Sequence, residues 1–122
     1  MRRVIMGLGI WALAMLTGAG AAVAGHGALA LDETTLQYGL SSNEGTQGKA
    51  DEVALKECGN DKCKIVFRTT PGQCGAIATA ENRSVWGGAK RPQRAAAQLA
   101  AVQNCQKRSK SQCKARSVEC NR

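Results

Sequence analysis

The feature that most constrains this chain is a near-duplication of its own sequence, with cysteines in step. Gly27 set on Gly75, at an offset of 48, brings Ala28 onto Ala76, Leu29 onto Ile77, Ala30 onto Ala78, Glu33 onto Glu81, Tyr38 onto Trp86 and Gly39 onto Gly87. At an offset of 47, Ala50 falls on Ala97, Ala54 on Ala101, Leu55 on Val102 and Cys58 on Cys105. With a slightly longer turn in the second copy, Cys63-Lys64 then falls on Cys113-Lys114. Two copies predict a closed pseudo-symmetric domain, because an open solenoid needs three or more to bury its faces.

Each copy has the same elements. A short apolar strand (Ala28–Leu31; Gly75–Thr79) leads through a polar tip to a second strand ending in an aromatic and a glycine (Leu36–Gly39; Ser84–Gly87). The glycine is expected to give the backbone room to turn. A helix follows. In the first copy Thr46 is the expected N-cap, and Ala50, Val53, Ala54 and Cys58 recur on one face. In the second, Pro92 suits the first helical position and Ala95–Ala101 has high helix propensity. Compact turns (Gly59–Lys62; Lys107–Gln112) then lead to the strands Cys63–Arg68 and Cys113–Cys120, the second read as a charged edge strand. The expected fold is α+β: an antiparallel sheet from two pseudo-repeated β-β-α-β units, residues about 26–68 and 74–120, with two helices packed on one face. Tyr38, Gly39, Trp86 and Gly87 are its structural markers.

Residues 1–24 are read as a signal peptide. Arg2 and Arg3 form a positive start, Val4–Leu16 is apolar but short for a bilayer span, and Ala22-Val23-Ala24 suits cleavage before Gly25. An uncleaved anchor is the alternative. A second A-x-A at Ala28–Ala30 is rejected because cleavage there would remove a strand of the repeat. Residues 25–122 are then one domain, periplasmic or secreted, with no membrane span after cleavage.

That domain has little bulk for a core: Leu29, Leu31, Leu36, Tyr38, Val53, Leu55, Ile65, Val66, Phe67, Ile77, Val85, Trp86, Leu99, Val102 and Val118. It needs staples. All six cysteines follow the leader, which reads as disulfides; a metal site is disfavoured because His26 is the one histidine and no cysteine pair has zinc-knuckle spacing. Six cysteines allow many connectivities. Symmetry favours Cys58–Cys63 and Cys105–Cys113, leaving Cys74–Cys120.

The motif set C-G-A-I-A at 74–78, W-G at 86–87, the alanine-rich run ending at Cys105 and C-K-I-V at 63–66 resembles a secreted bacterial cysteine-rich family catalogued as domain of unknown function 4189. The resemblance covers nearly all of the chain after the leader. Tyr38 stands where the family often has Trp, and the last strand is more charged than usual. The resemblance implies export and a cysteine framework, and it supplies no catalytic residues.

The residues themselves offer little chemistry. His26 reads as a strand-start or tail residue; Asp32, Glu33 and Glu81 read as solvated hairpin tips. No nucleophile elbow, phosphate loop or H-E-x-x-H occurs, and no enzyme activity, metal or cofactor is expected. Charge is the stronger signal. Residues 25–82 carry five Lys/Arg against eight Asp/Glu, whereas 83–122 carry ten Lys/Arg against Glu119 alone. Lys90, Arg91, Arg94, Lys107, Arg108, Lys110, Lys114 and Arg116 are the candidate anion- or partner-binding residues, against the alternative of a merely solvated basic surface. Gly87-Gly88 with Lys90-Arg91 before the helix is one place to hold an anion. Lys114, Arg116 and Val118 share a face if the last strand alternates. An anionic envelope polymer, lipid or protein is the expected partner; nucleic acid is disfavoured, with Trp86 the one stacking ring nearby. The alternative is a secreted inhibitor or effector that grips a foreign protein with Ser41–Gly48 and Gly87–Arg91; a hydrolase is a weaker third.

Overall fold

The structure, a computed structural model, describes residues 25–122; the expected leader over 1–24 lies outside the described residues. Eight elements follow in order: β1 (His26–Leu31), β2 (Tyr38–Glu44), α1 (Gln47–Cys58), β3 (Lys64–Thr69), β4 (Cys74–Ala80), β5 (Trp86–Arg91), α2 (Arg94–Gln106) and β6 (Cys113–Cys120). The α+β class and the two β-β-α-β units are as expected. The strands, however, form two three-stranded antiparallel sheets, β2-β1-β3 and β5-β4-β6, each built from one unit.

The central strands explain the division. β1 and β4 are buried almost throughout, as strands covered on both faces must be. Their alternation sorts two kinds of apolar side chain. Ala28 and Ala30 meet Ala50 and Ala54 of α1; Ala76, Ala78 and Ala80 meet Ala97, Ala100 and Ala101 of α2. The opposite faces carry Leu29, Leu31 and Ile77, which join Leu36 and Leu40 in a core between the sheets, flanked by Tyr38, Val66, Phe67 and Trp86. The layers therefore run helix, sheet, sheet, helix.

Small residues let each helix sit close to its sheet. A Cβ at Gly39 would lie 2.1 Å from the Ala54 carbonyl oxygen, and one at Gly87 would lie 2.2 Å from the Cys105 nitrogen. The aromatic-glycine pair thus makes room for a helix backbone rather than for a turn. The second strands also start later and run further than expected, to Glu44 and Arg91, because the hairpins pair up to Tyr38 and Trp86 and beyond.

Each unit repeats one irregularity. Leu29 pairs with Phe67 and Ala30 with Ile65, so Val66 bulges; Ile77 pairs with Ser117 and Ala78 with Ala115, so Arg116 bulges at the matching place. The bulge moves Val118 to the opposite face from Lys114. Lys114 pairs with Thr79 and Val118 with Ala76, and Val118 packs on the α2 side. The expected shared face of Lys114, Arg116 and Val118 is therefore broken.

Disulfides join Cys58 to Cys63, Cys105 to Cys113 and Cys74 to Cys120. The first two tie each helix end to the strand after it. The third links directly opposed residues of β4 and β6. The units also meet through a polar seam. Buried Asn121 donates to Thr69 Oγ1 (2.8 Å) and the Thr70 carbonyl (3.0 Å), and its Oδ1 accepts the Asn43 N–H (2.8 Å).

Candidate functional site

The eight candidate cations separate into two groups, one at each end of α2. Lys90 and Arg91 are the last residues of β5 and Arg94 is the first of α2. Lys107, Arg108 and Lys110 follow the helix, and Lys114 opens β6 beside them. The helix between is 13 residues long, so the groups stand about 20 Å apart. The continuous basic surface suggested by the charge count is therefore two patches, with Arg116 between them on the edge strand.

Several of these cations already serve the fold. The Arg94 guanidinium donates to the Val118 carbonyl (3.1 Å), binding the helix start to β6. Arg108 lies 5.5 Å from the centroid of the Trp86 ring, a cation–π distance. Arg116 donates to Thr79 Oγ1 (2.6 Å), and Lys114 meets Glu81 at 3.1 Å. Arg91 folds back on the Lys90 carbonyl (2.6 Å). Among the described residues Lys114 alone of the eight is ion-paired. All eight are exposed.

Three local readings change. Gly87–Arg91 is strand β5, and Ser41–Glu44 belongs to β2, so neither segment is the free contact loop expected. Pro92 is not the first helical residue: the helix begins at Arg94, with Gln93 at the N-cap. Gln93 makes no side-chain capping bond, whereas Thr46 caps α1 by accepting the Lys49 N–H at 3.1 Å. The first turn of α2 thus keeps unsatisfied N–H groups beside Lys90, Arg91 and Arg94.

The polar tip of the first hairpin is not simply solvated. Asp32 is only 2% exposed. Its carboxylate accepts the Thr34 N–H (2.9 Å) and the Asn60 amide (3.0 Å), which holds the hairpin against the Cys58–Cys63 turn. The Thr34 backbone bond, together with Asn60, lowers the Asp32 pKa to about 2 despite opposing desolvation. A carboxylate so engaged stays ionised and is a poor proton-transfer group near neutrality. The contact is not legible in the sequence because it joins residues 28 apart. Beside it opens a cleft of about 540 Å³, lined by Leu31, Ile65 and Val66 together with Asp32, Asp61 and Lys64. His26 begins β1, the strand whose other end leads to Asp32, so the histidine and this cleft are not brought together. Glu81, the counterpart of Glu33, is engaged by Lys114. No group of three His, Cys, Asp or Glu among the described residues is placed to hold a metal ion, and no helix there is long and apolar enough to cross a membrane.

The outer faces of the helices differ. α1 presents Lys49, Glu52, Lys56 and Glu57, with Lys49 and Glu52 3.6 Å apart. α2 presents Ala95, Gln98, Leu99, Gln103 and Gln106, and Leu99 is 58% exposed. Leu99 and Leu55 were both expected in the core; both lie outside it, Leu55 less so at 37%.

Comparison with known proteins agrees with this architecture. The chain is similar to Rv1813c from Mycobacterium tuberculosis, whose NMR structure matches it with a TM-score of 0.66 at 25% identity over 99% of each chain. No curated protein sequence matches. The family model described as "Domain of unknown function (DUF4189)" matches residues 26–120, which takes in both three-stranded sheets, both helices and all three disulfides. The chain belongs to that family.

Proposed function

We propose that this chain is an exported, non-enzymatic binding domain that engages an anionic partner of the cell envelope or the extracellular space through the cations of its second unit. The carrying observation is the placement of those cations. Two exposed groups flank α2, with ion pairing limited to Lys114, and the first turn of α2 keeps uncapped N–H groups beside one of them. Patches about 20 Å apart suit an extended anion or a charged surface better than a small ion. Three disulfides and the leader-like residues 1–24 support an oxidising compartment.

The test is co-sedimentation of the oxidised protein with envelope fractions at low and high salt. Binding should fall steeply between ~0.05 and ~0.5 M salt, because exposed charges are screened over that range. It should also fall when Lys107, Arg108 and Lys110 are changed together to Ala. Binding indifferent to both changes would remove the reading.

A further inference from the structure

The two helices occupy equivalent places, yet their outer rows are built from different chemistry. Glu52 corresponds to Leu99, Lys56 to Gln103 and Lys49 to Ala96. In α1 this row is charged and partly ion-paired. In α2 the matching stripe, Ala96, Leu99 and Gln103, with Ala95 and Gln106 exposed beside it, carries no charge, while half-buried Val102 packs on the core. The chain places ten Lys/Arg after Asn82 and none between 95 and 106. A face that merely met water in so basic a unit would be expected to carry some of them. Instead, Arg94 stands at one end and Lys107 with Arg108 at the other. Leu99 is 58% exposed and belongs to none of the three apolar clusters.

Charge decides what can cover such a face. A second copy crossing antiparallel would set Arg94 against Lys107 and Arg108, and a parallel crossing would set each cation on itself. A soluble polyanion would gain from cations along the stripe and nothing from Leu99. A lipid interface suits both features: apolar side chains enter the acyl boundary while terminal cations meet phosphates, as for helices that lie in the membrane plane. We propose that the outer face of α2, centred on Leu99, docks on an anionic lipid bilayer, with Arg94, Lys107 and Arg108 at the headgroups. This rests on the anionic-partner reading above and narrows it to one kind of surface.

The experiment uses the full chain, expressed with its leader and purified oxidised as the cell leaves it. It is floated with phosphatidylglycerol-containing vesicles and with pure phosphatidylcholine vesicles, and titrated in parallel with soluble polyphosphate. Anionic vesicles should bind and neutral ones should not. Leu99→Ser should weaken vesicle binding about tenfold, the order expected for losing one buried leucine side chain, and leave polyphosphate binding and thermal stability unchanged. Lys107→Ala with Arg108→Ala should weaken both. Polyphosphate binding without vesicle binding would overturn the bilayer and keep the anionic-partner reading; no binding to either would overturn both. Vesicle binding untouched by Leu99→Ser would overturn the assignment to this face. A dimer in sedimentation that Leu99→Ser dissolves would overturn it too, by placing a second copy there.

Discussion

The first unit and the second share a skeleton and differ in what they hang on it. Both place alanine between sheet and helix, a glycine under the helix backbone, a bulge in the third strand and a disulfide from helix end to strand. Between the sheets they diverge in a complementary way. The first unit offers Phe67 where the second has Ser117, and the second offers Gly88 where the first has Leu40. The Phe67 ring fills that space: a Cβ on Gly88 would lie 2.9 Å from it, and one on Gly75 would lie 3.0 Å away. The first unit also pins its parts with polar groups. Ser41 bridges β1 to α1 by accepting the Ala28 N–H and donating to the Ala50 carbonyl, and Asp32 holds the Cys58–Cys63 turn through Asn60. The second unit has Ala89 and Ala80 at those two places and spends its polar side chains, as cations, on the surface. Positions shared by the units are thus explained by packing, and a role peculiar to one unit belongs to the residues by which they differ.

The long disulfide gives the largest test of how independent the units are. Replacing Cys74 and Cys120 together by Ala should lower stability by roughly 4 kcal/mol in the chain-entropy view, against roughly 2 for Cys58 with Cys63 or Cys105 with Cys113. Chemical denaturation of the three double variants measures the order, and equal losses would mean that the unfolded-state loops are not what matters. Gly39→Ala and Gly87→Ala probe the shared device. Both place a methyl group against helix backbone, so each should cost about 3 kcal/mol or more. A large loss at one and tolerance at the other would show that the helices are not equivalently seated.

Capping separates the units at a smaller scale. Thr46→Ala should cost about 1 kcal/mol, whereas Gln93→Ser should stabilise by a similar or smaller amount, because α2 has no side-chain cap to lose. Thermal melts distinguish the signs. The smallest effect is expected from Asp32, and only in acid. Its folded pKa, about 2, lies below the ordinary value of 3.8, so its contribution is present above pH 4 and is lost as pH falls from about 4 towards 2. Asp32→Asn should flatten the stability profile in that window, and Glu33→Gln serves as the control. An unchanged acid limb would show that the hairpin does not depend on the charged form.

Much of this architecture was legible because the duplication gave two readings of each element. Cys58 and Cys63 hold the same places as Cys105 and Cys113, so the helix-to-strand staples follow from the repeat. Thr46 announced its helix by the usual capping chemistry. The division into two sheets was harder to see. Ala-Leu-Ala-Leu and Ala-Ile-Ala show one apolar strand each, and only the sorting of small from large side chains tells that a helix covers one face and a sheet the other. Gly87–Arg91 read as a loop because glycine is poor in strands; its glycine is there for the helix above it. The basic residues formed one group in sequence because a helix that parts them by about 20 Å occupies only 13 residues. Leu99 read as core because helical spacing alone does not say which side of an alanine-rich helix faces inward.

The Asn121 seam has a consequence for how the chain comes together. Each sheet takes its strands from one unit, so both can begin to form from nearby partners. Beyond the shared apolar core, the polar link between them comes from the end of β6 and the residues just past it: Cys120 is bonded to Cys74 of β4, Asn121 reaches Thr69 and Asn43, and the Arg122 N–H donates to Asn43 Oδ1 at 2.8 Å. A chain made from its N-terminus can therefore assemble the first unit early but closes this polar seam only once β6 has been made. Removal of residues 120–122 would open this seam while leaving most of every strand in place.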